Sequence, residues 1–181
     1  MTAYVFLAEG FEEVEALTPV DILRRGGVTV KTVGIGGRTV TGAHGIPVGC
    51  DIAEEDVIPD EIDMMVLPGG MPGAKNLDEH EGVRAALVRH AEQQKLIGAI
   101  CAAPMVLGHL GLLRGKRATC YPGFETELEG ATYTAEPCTA DGNIITGKGP
   151  GASFAYAYRL LEEFKGAGVV EELKKGMMYE F

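Results

Sequence analysis

Short apolar segments alternate with amphipathic segments along most of this chain. Apolar runs typical of buried strands lie at Ala3–Ala8, Val28–Ile35, Met64–Leu67, Leu96–Ile100, Ala118–Cys120 and Ile144–Thr146. Apolar residues recur at helical spacing in Val14–Arg25, Glu81–Gln94, Met105–Leu110, Ser153–Phe164 and Val169–Met178. This alternation predicts an α/β fold in which helices cover both faces of a mostly parallel sheet. The length of 181 residues, without a repeat or linker, predicts one domain over residues 1–181.

Three stretches add detail to this outline. Thr39–Cys50 is broken by glycine and proline and predicts a hairpin, whereas Ala131–Ala135 predicts a looser β segment. Gly26–Gly27 marks the end of the first helix. Pro19 leaves two possibilities open, because proline suits a first helical position and is costly in an interior: the helix begins near Thr18, or it is kinked there.

The chain is acidic, with a formal net charge of −10. This charge argues against nucleic acids and anionic membranes as partners, since both attract basic patches. The opening sequence MTAYVFLAEG has no basic region of the kind that begins a secretory signal, and no apolar run approaches transmembrane length. We therefore expect a cytoplasmic protein.

Four cysteines are present, and no two of them form a CxxC pair. The spacing predicts neither a zinc site nor a dithiol redox motif, and in a reducing compartment we expect free thiols. Cys50, Cys120 and Cys138 are interpreted as structural residues.

Cys101 has the most informative surroundings of the four. It directly follows an apolar strand and precedes Ala102, Ala103 and Pro104, which lead into a helical segment. Small residues permit the sharp strand–turn–helix reversal called a nucleophile elbow, here with cysteine in place of serine. The adjacent helix N-terminus would favour a thiolate. The alternative is an ordinary buried cysteine, which is a common environment for this residue type.

Several candidate segments follow the predicted strands. They are Glu9–Glu15, Pro68–Gly73, Cys101, Tyr121 and Gly147–Gly151. In open α/β sheets the active site lies at the carboxyl ends of the strands, so these segments are expected to converge there. The convergence favours a functional role for Cys101.

A cluster of acidic residues begins the first helix. Such a cluster is usually a solvated helix start, stabilised by the helix dipole. Among Glu12, Glu13 and Glu15, the helical phase of Glu15 is the most suitable for a carboxyl that turns towards Cys101. Burial and a neighbouring thiolate would raise the pKa of that carboxyl, which could then donate a hydrogen bond or exchange a proton.

The histidines and the glycine-rich loops do not form a metal or nucleotide signature. We expect His80 and His90 to be solvated on or near their helix and His109 to be structural, while the role of His44 stays open. No pair has the spacing of metal ligands, so no metal is predicted. The loop before Ser153 departs from a phosphate loop, and Ser153 is a candidate helix cap.

Taken together, these motifs resemble the DJ-1/ThiJ/PfpI superfamily, and most closely its DJ-1-like branch. The resemblance extends almost from end to end, through Ala8–Gly27, Val66–Leu77, Ala99–Pro104, Ala118–Pro122 and Ile145–Phe154. It implies a flavodoxin-like α/β sandwich, usually a homodimer, that needs no cofactor.

The resemblance also implies roles for individual residues. By position, Cys101 is similar to the reactive cysteine of the family and Glu15 to its carboxyl partner. The backbone N–H groups of Gly70 and Ala102 correspond to donors for an anion beside the sulfur, and Gly69 shapes the same loop. Two such donors form the oxyanion hole that thiol addition to a carbonyl requires.

Three positions qualify the resemblance. Ala102 stands where the protease-like branch has histidine, which argues against a peptidase. Tyr121 stands where many DJ-1 members have histidine, so its role is to shape the pocket or to bind substrate by a hydrogen bond. The hairpin near His44 shows no obvious counterpart of the family's second basic residue. Arg25 does match a family arginine and is a candidate anion-binding residue.

Three functions follow as hypotheses. The first is a cofactor-independent glyoxalase or deglycase that acts on a small reactive aldehyde, methylglyoxal or glyoxal, through Cys101 and Glu15. The alternative is a redox sensor or stress-protective chaperone that uses the same oxidisable thiol. An intracellular cysteine peptidase or amidase is the third, and it lacks a visible general base.

Overall fold

The computed structural model describes residues 1–179, and its centre is a seven-stranded sheet. The strands of the chain are β1 Thr2–Leu7, β2 Thr29–Gly34, β3 Thr39–Thr41, β4 Pro47–Gly49, β5 Ile52–Ala53, β6 Met64–Leu67, β7 Leu96–Ile100, β8 Arg117–Ala118, β9 Thr132–Tyr133, β10 Cys138–Asp141 and β11 Ile144–Gly147. The order in the main sheet is β10-β11-β7-β6-β1-β2-β5, and every pairing is parallel except β10 with β11. The mostly parallel sheet expected from the sequence is therefore present.

Six α-helices connect and cover these strands within the described chain. They are α1 Glu13–Arg25, α2 Gly73–Glu79, α3 Glu81–Glu92, α4 Pro104–His109, α5 Ser153–Lys165 and α6 Ala167–Gly176. None of the helices in residues 1–179 combines the length and the apolar character needed to span a membrane.

The two faces of the sheet carry separate apolar cores. Alternate residues of β1 point to opposite faces, as the pleat of a strand requires. Ala3, Val5 and Leu7 pack with α1, α5 and α6, whereas Tyr4 and Phe6 pack with α2, α3 and α4. Helices on both faces confirm the predicted fold class and leave the carboxyl edge of the sheet for the loops that carry the candidate site.

Helix α1 is continuous through Pro19, which decides between the two possibilities that the sequence left open. The helix therefore begins before Thr18, in the acidic segment. The helix ends at the predicted glycines. Gly27 has a positive φ of 72°, and its N–H donates to the Arg24 carbonyl at 3.0 Å. The acidic first turn consequently lies at the carboxyl edge of the sheet.

Three parts of the structure differ from the sequence prediction. The segment predicted as the strand Ala118–Cys120 contributes only to β8, which pairs with β9 in a separate small sheet. The strand beside β11 is β10, an antiparallel edge strand that the sequence did not indicate. Helix α2 was also not predicted, whereas the hairpin predicted for Thr39–Cys50 is present as β3 and β4.

Candidate active site

Cys101 occupies the sharp turn between β7 and α4. Its φ of 65° lies in the left-handed region, which is strained for a residue with a side chain. Two backbone hydrogen bonds hold the turn: the Cys101 N–H donates to the Gly147 carbonyl at 2.9 Å, and the Cys101 carbonyl accepts from the Tyr121 N–H at 2.8 Å. The predicted nucleophile elbow is thus present, and it is anchored to the ends of two neighbouring segments.

Two glycines make room for the cysteine on the neighbouring loop after β6. A Cβ atom on Gly69 would lie 2.5 Å from the Cys101 Cβ and 2.7 Å from Oε2 of Glu15, so no larger residue fits there. Gly70 has a φ of 83°, and a side chain on it would collide with the Glu12 backbone. The loop backbone therefore approaches the thiol closely enough to offer its N–H groups.

Glu15 is the carboxyl that faces this loop, and it is 0% exposed. Its Oε2 accepts a hydrogen bond from the Gly69 N–H at 2.9 Å, while Oε1 is buried and has no hydrogen-bond partner among the described residues. Burial raises the pKa of Glu15 to about 7, against the opposing effect of hydrogen bonding to Cys101 and Gly69. A proton on Glu15 is therefore accessible near neutral pH.

The Cys101 thiol is 8% exposed, and its pKa is raised to about 12 by burial and by the negative charge of Glu15. Hydrogen bonds from the Gly70 and Ala102 N–H groups act in the opposite direction and lower that pKa. With Glu15 ionised, the thiol keeps its proton. A proton on Glu15 removes the repulsive charge, so the two groups exchange a proton rather than ionise together.

The structure brings Tyr121 to this site but not Arg25. The Tyr121 N–H bonds to the Cys101 carbonyl at 2.8 Å, whereas the residue, 46% exposed, lines a cavity of about 380 Å³ to which neither Cys101 nor Glu15 contributes. Arg25 lies at the opposite end of α1 from Glu15 and pairs with Asp21 at 2.7 Å. Ten residues of helix separate the two by roughly 15 Å along the axis, so Arg25 does not reach the thiol.

A Glu13–His44 contact beside the site could not be found from sequence spacing. The Nδ1 atom of His44 lies 2.9 Å from Oε2 of Glu13, and the His44 N–H donates to Oε1 at 2.8 Å. Hydrogen bonding to Glu13 raises the pKa of His44. The Glu12 carboxyl lies 3.6 Å from the same ring, and the ligand atoms of these three residues are within 4.8 Å of one another. The two neighbouring carboxyls favour the protonated form of the His44 imidazole.

Three expectations about polar residues near helices require correction. His90 is not solvated but 4% exposed, and burial lowers its pKa to about 4. His80 is half-buried: its Nδ1 accepts from the Val83 N–H at 3.2 Å and its Nε2 lies 2.6 Å from Glu54. Ser153 is not a cap, because Ala152 holds the N-cap position and the buried Ser153 hydroxyl has no partner in the described part of the chain.

The remaining predicted residues fit their expected structural environment. His109 lies between Asp78, at 2.8 Å, and Glu127, at 2.9 Å. Within residues 1–179 all four cysteines are free; Cys50 and Cys120 are buried, and Cys138 is partly buried. Burial raises the pKa of each of these three thiols.

Comparison with known proteins shows which family this chain resembles in sequence and structure. The chain is 36% identical to protein dj-1beta of Drosophila melanogaster over 99% of its own length and 98% of the relative. The crystal structure of that DJ-1beta superposes with a TM-score of 0.95 at 35% identity, covering 99% of this chain and 98% of the other.

Two further relatives carry the names of enzymes. A deglycase of Pyrococcus abyssi is 32% identical, over 91% of this chain and 100% of the relative. A glutathione-independent glyoxalase of Caenorhabditis elegans is also 32% identical, over 92% of this chain and 90% of the relative. The sequence profile of the DJ-1/PfpI family matches residues 1–163, and we conclude that the chain belongs to the DJ-1/PfpI family.

Proposed function

We propose that this protein is a cofactor-independent glyoxalase or deglycase that converts small 2-oxoaldehydes through Cys101 and Glu15. The observation that carries the proposal is the buried Glu15 carboxyl, which has one unpartnered oxygen and a pKa raised to about 7, beside the elbow thiol. A group with a pKa near the working pH is suited to both accept and donate a proton. The enzyme names of two relatives support the same class of reaction.

In the proposed first step, the Cys101 sulfur attacks the aldehyde carbon and its proton passes to Glu15. The new C–S bond forms as the carbonyl electrons move to oxygen. The N–H groups of Gly70 and Ala102, which favour negative charge at the sulfur, are placed to stabilise that oxyanion. Return of the proton from Glu15 to the oxygen gives a neutral hemithioacetal.

In the proposed second step, Glu15 moves a proton between the two substrate carbons. The carboxylate removes the hydrogen of the former aldehyde carbon as a proton and, as the acid, returns it to the adjacent carbon. The hydroxyl proton on the first carbon passes to the carbonyl oxygen of the second, so the first carbon becomes a thioester carbonyl and the second bears the hydroxyl of a 2-hydroxy acid. Water then cleaves the C–S bond, releases the hydroxy acid and restores the thiol. The sum is one aldehyde and one water converted to one hydroxy acid, with no change in the protein.

The test is consumption of methylglyoxal by chelator-treated protein in the absence of glutathione. We expect lactate to form in proportion to the aldehyde consumed, and Cys101→Ser to abolish the reaction. Cys138→Ser is the matched control, because Cys138 is a half-buried free thiol on the edge strand β10. Activity of Cys101→Ser equal to wild type would refute the proposal.

The same thiol supports a second proposed role, as a redox sensor. The unpartnered Oε1 of Glu15, once protonated, can donate a hydrogen bond to an oxygen atom added to the Cys101 sulfur. We expect limited peroxide to modify Cys101 first, as measured by mass spectrometry of the four cysteine peptides. Equal modification of all four cysteines would contradict this role.

A further inference from the structure

A cavity lies where the segment after β5 meets the start of helix α3. Its volume is about 330 Å³, within the range of roughly 300–1,000 Å³ that is usual for small-molecule sites. The described residues that line it include none of Cys101, Glu15 and Tyr121. A ligand in this cavity would therefore bind apart from the elbow thiol.

Apolar side chains form much of the wall of this cavity. Phe6 on β1 and Val83 on α3 are each 3% exposed. Beside them lie three partly exposed apolar residues, Ile35, Val57 and Ala86. Apolar surface that faces water is stabilised when a ligand covers it, so this wall favours a ligand with an apolar body.

Two carboxyls, Glu54 and Glu55, also line the cavity, and the described residues around it include no lysine or arginine. Both carboxyls belong to an acidic segment in which three others are paired with basic side chains. The pairs are Asp56 with Arg38, Asp60 with Arg89 and Glu61 with Lys31. Glu55, in contrast, has no ion pair or side-chain hydrogen bond within residues 1–179. The negative charge of Glu55 is therefore left without a counter-ion at the cavity.

His80 does not neutralise Glu54, because its hydrogen bonds require the uncharged ring. The Nδ1 atom of His80 accepts from the Val83 N–H at 3.2 Å, and a ring nitrogen that accepts carries no proton. The proton of the ring is therefore on Nε2, which donates to Oε2 of Glu54 at 2.6 Å. Oε1 of Glu54 accepts from the Gly36 N–H at 2.9 Å. Neutral donors thus hold Glu54 in place, and the cavity carries two negative charges by formal count, one from each carboxyl.

We propose that this cavity binds a small organic amine, whose protonated primary amino group meets Glu54 and Glu55 while its compact apolar body packs beside Val83. A charged ligand of this sign complements the two carboxyls, and its apolar part complements the wall. A divalent cation is a poorer match, since it takes about six or more oxygen ligands and would leave the apolar wall uncovered. The site is independent of the thiol chemistry at Cys101.

The experiment is a titration of isotope-labelled full-length protein with 2-phenylethylamine, followed by amide chemical shifts. The matched ligand is 2-phenylethanol, which has a similar shape and no charge. We expect saturable shifts at the Gly36 and Val83 amides with a dissociation constant on the order of 1 mM or tighter, and no saturation with the alcohol. Equal affinity for the alcohol, or shifts confined to the Cys101 turn, would overturn the proposal. Displacement of the amine by Mg²⁺ beyond that by Na⁺ at equal ionic strength would show that the carboxyls bind a metal ion instead, and would also overturn it.

A charge series at Glu55 makes the test independent of folding defects, because Glu55 has no side-chain partner among the described residues. Glu55→Gln should weaken binding of the amine by about two- to fivefold, and Glu55→Lys by about tenfold or more. Glu54→Gln should weaken it by about tenfold, since it removes a charged acceptor. Glu172→Gln, on α6 outside the cavity, is the control and should leave it unchanged. Affinity that is the same in wild type, Glu54→Gln and Glu55→Lys would refute the site.

The outcome does not depend on the proposed enzyme activity. Cys101→Ser should bind 2-phenylethylamine with the affinity of wild type, even though it is expected to lack glyoxalase activity. Loss of amine binding in Cys101→Ser would show that the ligand occupies the candidate active site instead, and would contradict the separate site.

Discussion

The Gly69 N–H donates a hydrogen bond of 2.9 Å to Oε2 of Glu15, and the same glycine faces the Cys101 side chain. A single backbone position therefore holds the carboxyl and leaves space for the thiol. The bond uses one carboxyl oxygen and leaves Oε1 for chemistry.

Gly69→Ala should reduce activity by about 100-fold or more, since misplacement of reacting groups by about 1 Å has effects of that size. The new Cβ would lie 2.5 Å from the Cys101 Cβ and 2.7 Å from Glu15 Oε2, so one of the two must move. Gly168→Ala, on α6, is the matched control, because a Cβ there meets no described atom within 4 Å. Methylglyoxal turnover measures both, and normal turnover in Gly69→Ala would show that the close approach is not needed.

The site could be predicted from sequence where local pattern determines it. Cys101 follows a buried strand and precedes small residues, and these features alone indicate the elbow. Helical phase favours Glu15 among the acidic residues of the first turn, and Glu15 is the carboxyl that is fully buried and bonded to the loop. The size of the upward shift in the Glu15 pKa could not be predicted from the sequence. That shift comes from burial of the carboxyl, which depends on how the whole sheet packs.

Contacts between segments that are distant along the chain could not be predicted from the sequence. Glu13 and His44 are 31 positions apart, and no local spacing rule connects them. Helix α2 was not predicted because only Gly73, Ala74 and Leu77 of its seven residues are buried, too few for a clear helical pattern. Edge strand β10 contains polar and small residues and depends on its pairing with β11.

The burial of His90 could have been predicted from the sequence. It follows Val83 and Leu87 at helical spacing of i, i+4 and i+7, and so lies on the apolar stripe of α3. Its polar character led to the wrong expectation of a solvated side chain. Periodicity was the better guide here than residue type.

Glu15→Gln should abolish most activity and change how stability depends on pH. The folded pKa of about 7 exceeds the ordinary value of 4.5, so between these pH values the folded chain binds more protons than the unfolded chain. The free energy of unfolding of the wild type should therefore fall as pH rises from 4.5 to 7. Glu15→Gln removes the ionisable group and should be more stable than the wild type by about 1–2 kcal/mol at pH 8.

Thermal unfolding from pH 4.5 to 8 measures the effect on stability, and lactate formation measures the loss of activity, expected to be about 100-fold or more. Glu79→Gln, on the exposed surface of α2, is the control. If Glu15→Gln were less stable than wild type at pH 8, the inference of a costly buried charge would be wrong.

His90 should make the protein less stable in acid. Its folded pKa of about 4 lies below the ordinary value of 6.5, so the unfolded chain binds more protons between these pH values. Stability should fall as pH drops from 6.5 to 4, by up to about 3 kcal/mol from this residue. His90→Gln should flatten that part of the profile in chemical unfolding.

The control for His90 is His44→Ala, whose effect should have the opposite sign. The pKa of His44 is raised, so its contribution is complete below pH 6.5 and is lost as pH rises through the folded value. If both substitutions changed the pH dependence of stability in the same direction, the opposite pKa shifts assigned to His90 and His44 would be wrong.

Tyr156→Phe should leave stability unchanged or increase it by about 1 kcal/mol, because a buried hydroxyl without a partner carries a desolvation cost. Tyr156 is fully buried on α5, and its hydroxyl has no hydrogen-bond partner within residues 1–179. Tyr4→Phe is the matched control: the Tyr4 hydroxyl accepts from Lys31 at 3.2 Å, so its loss should destabilise by about 0.5–1.5 kcal/mol. Urea unfolding compares the two, and a Tyr156→Phe variant destabilised as much as Tyr4→Phe would show that the Tyr156 hydroxyl has a partner in solution.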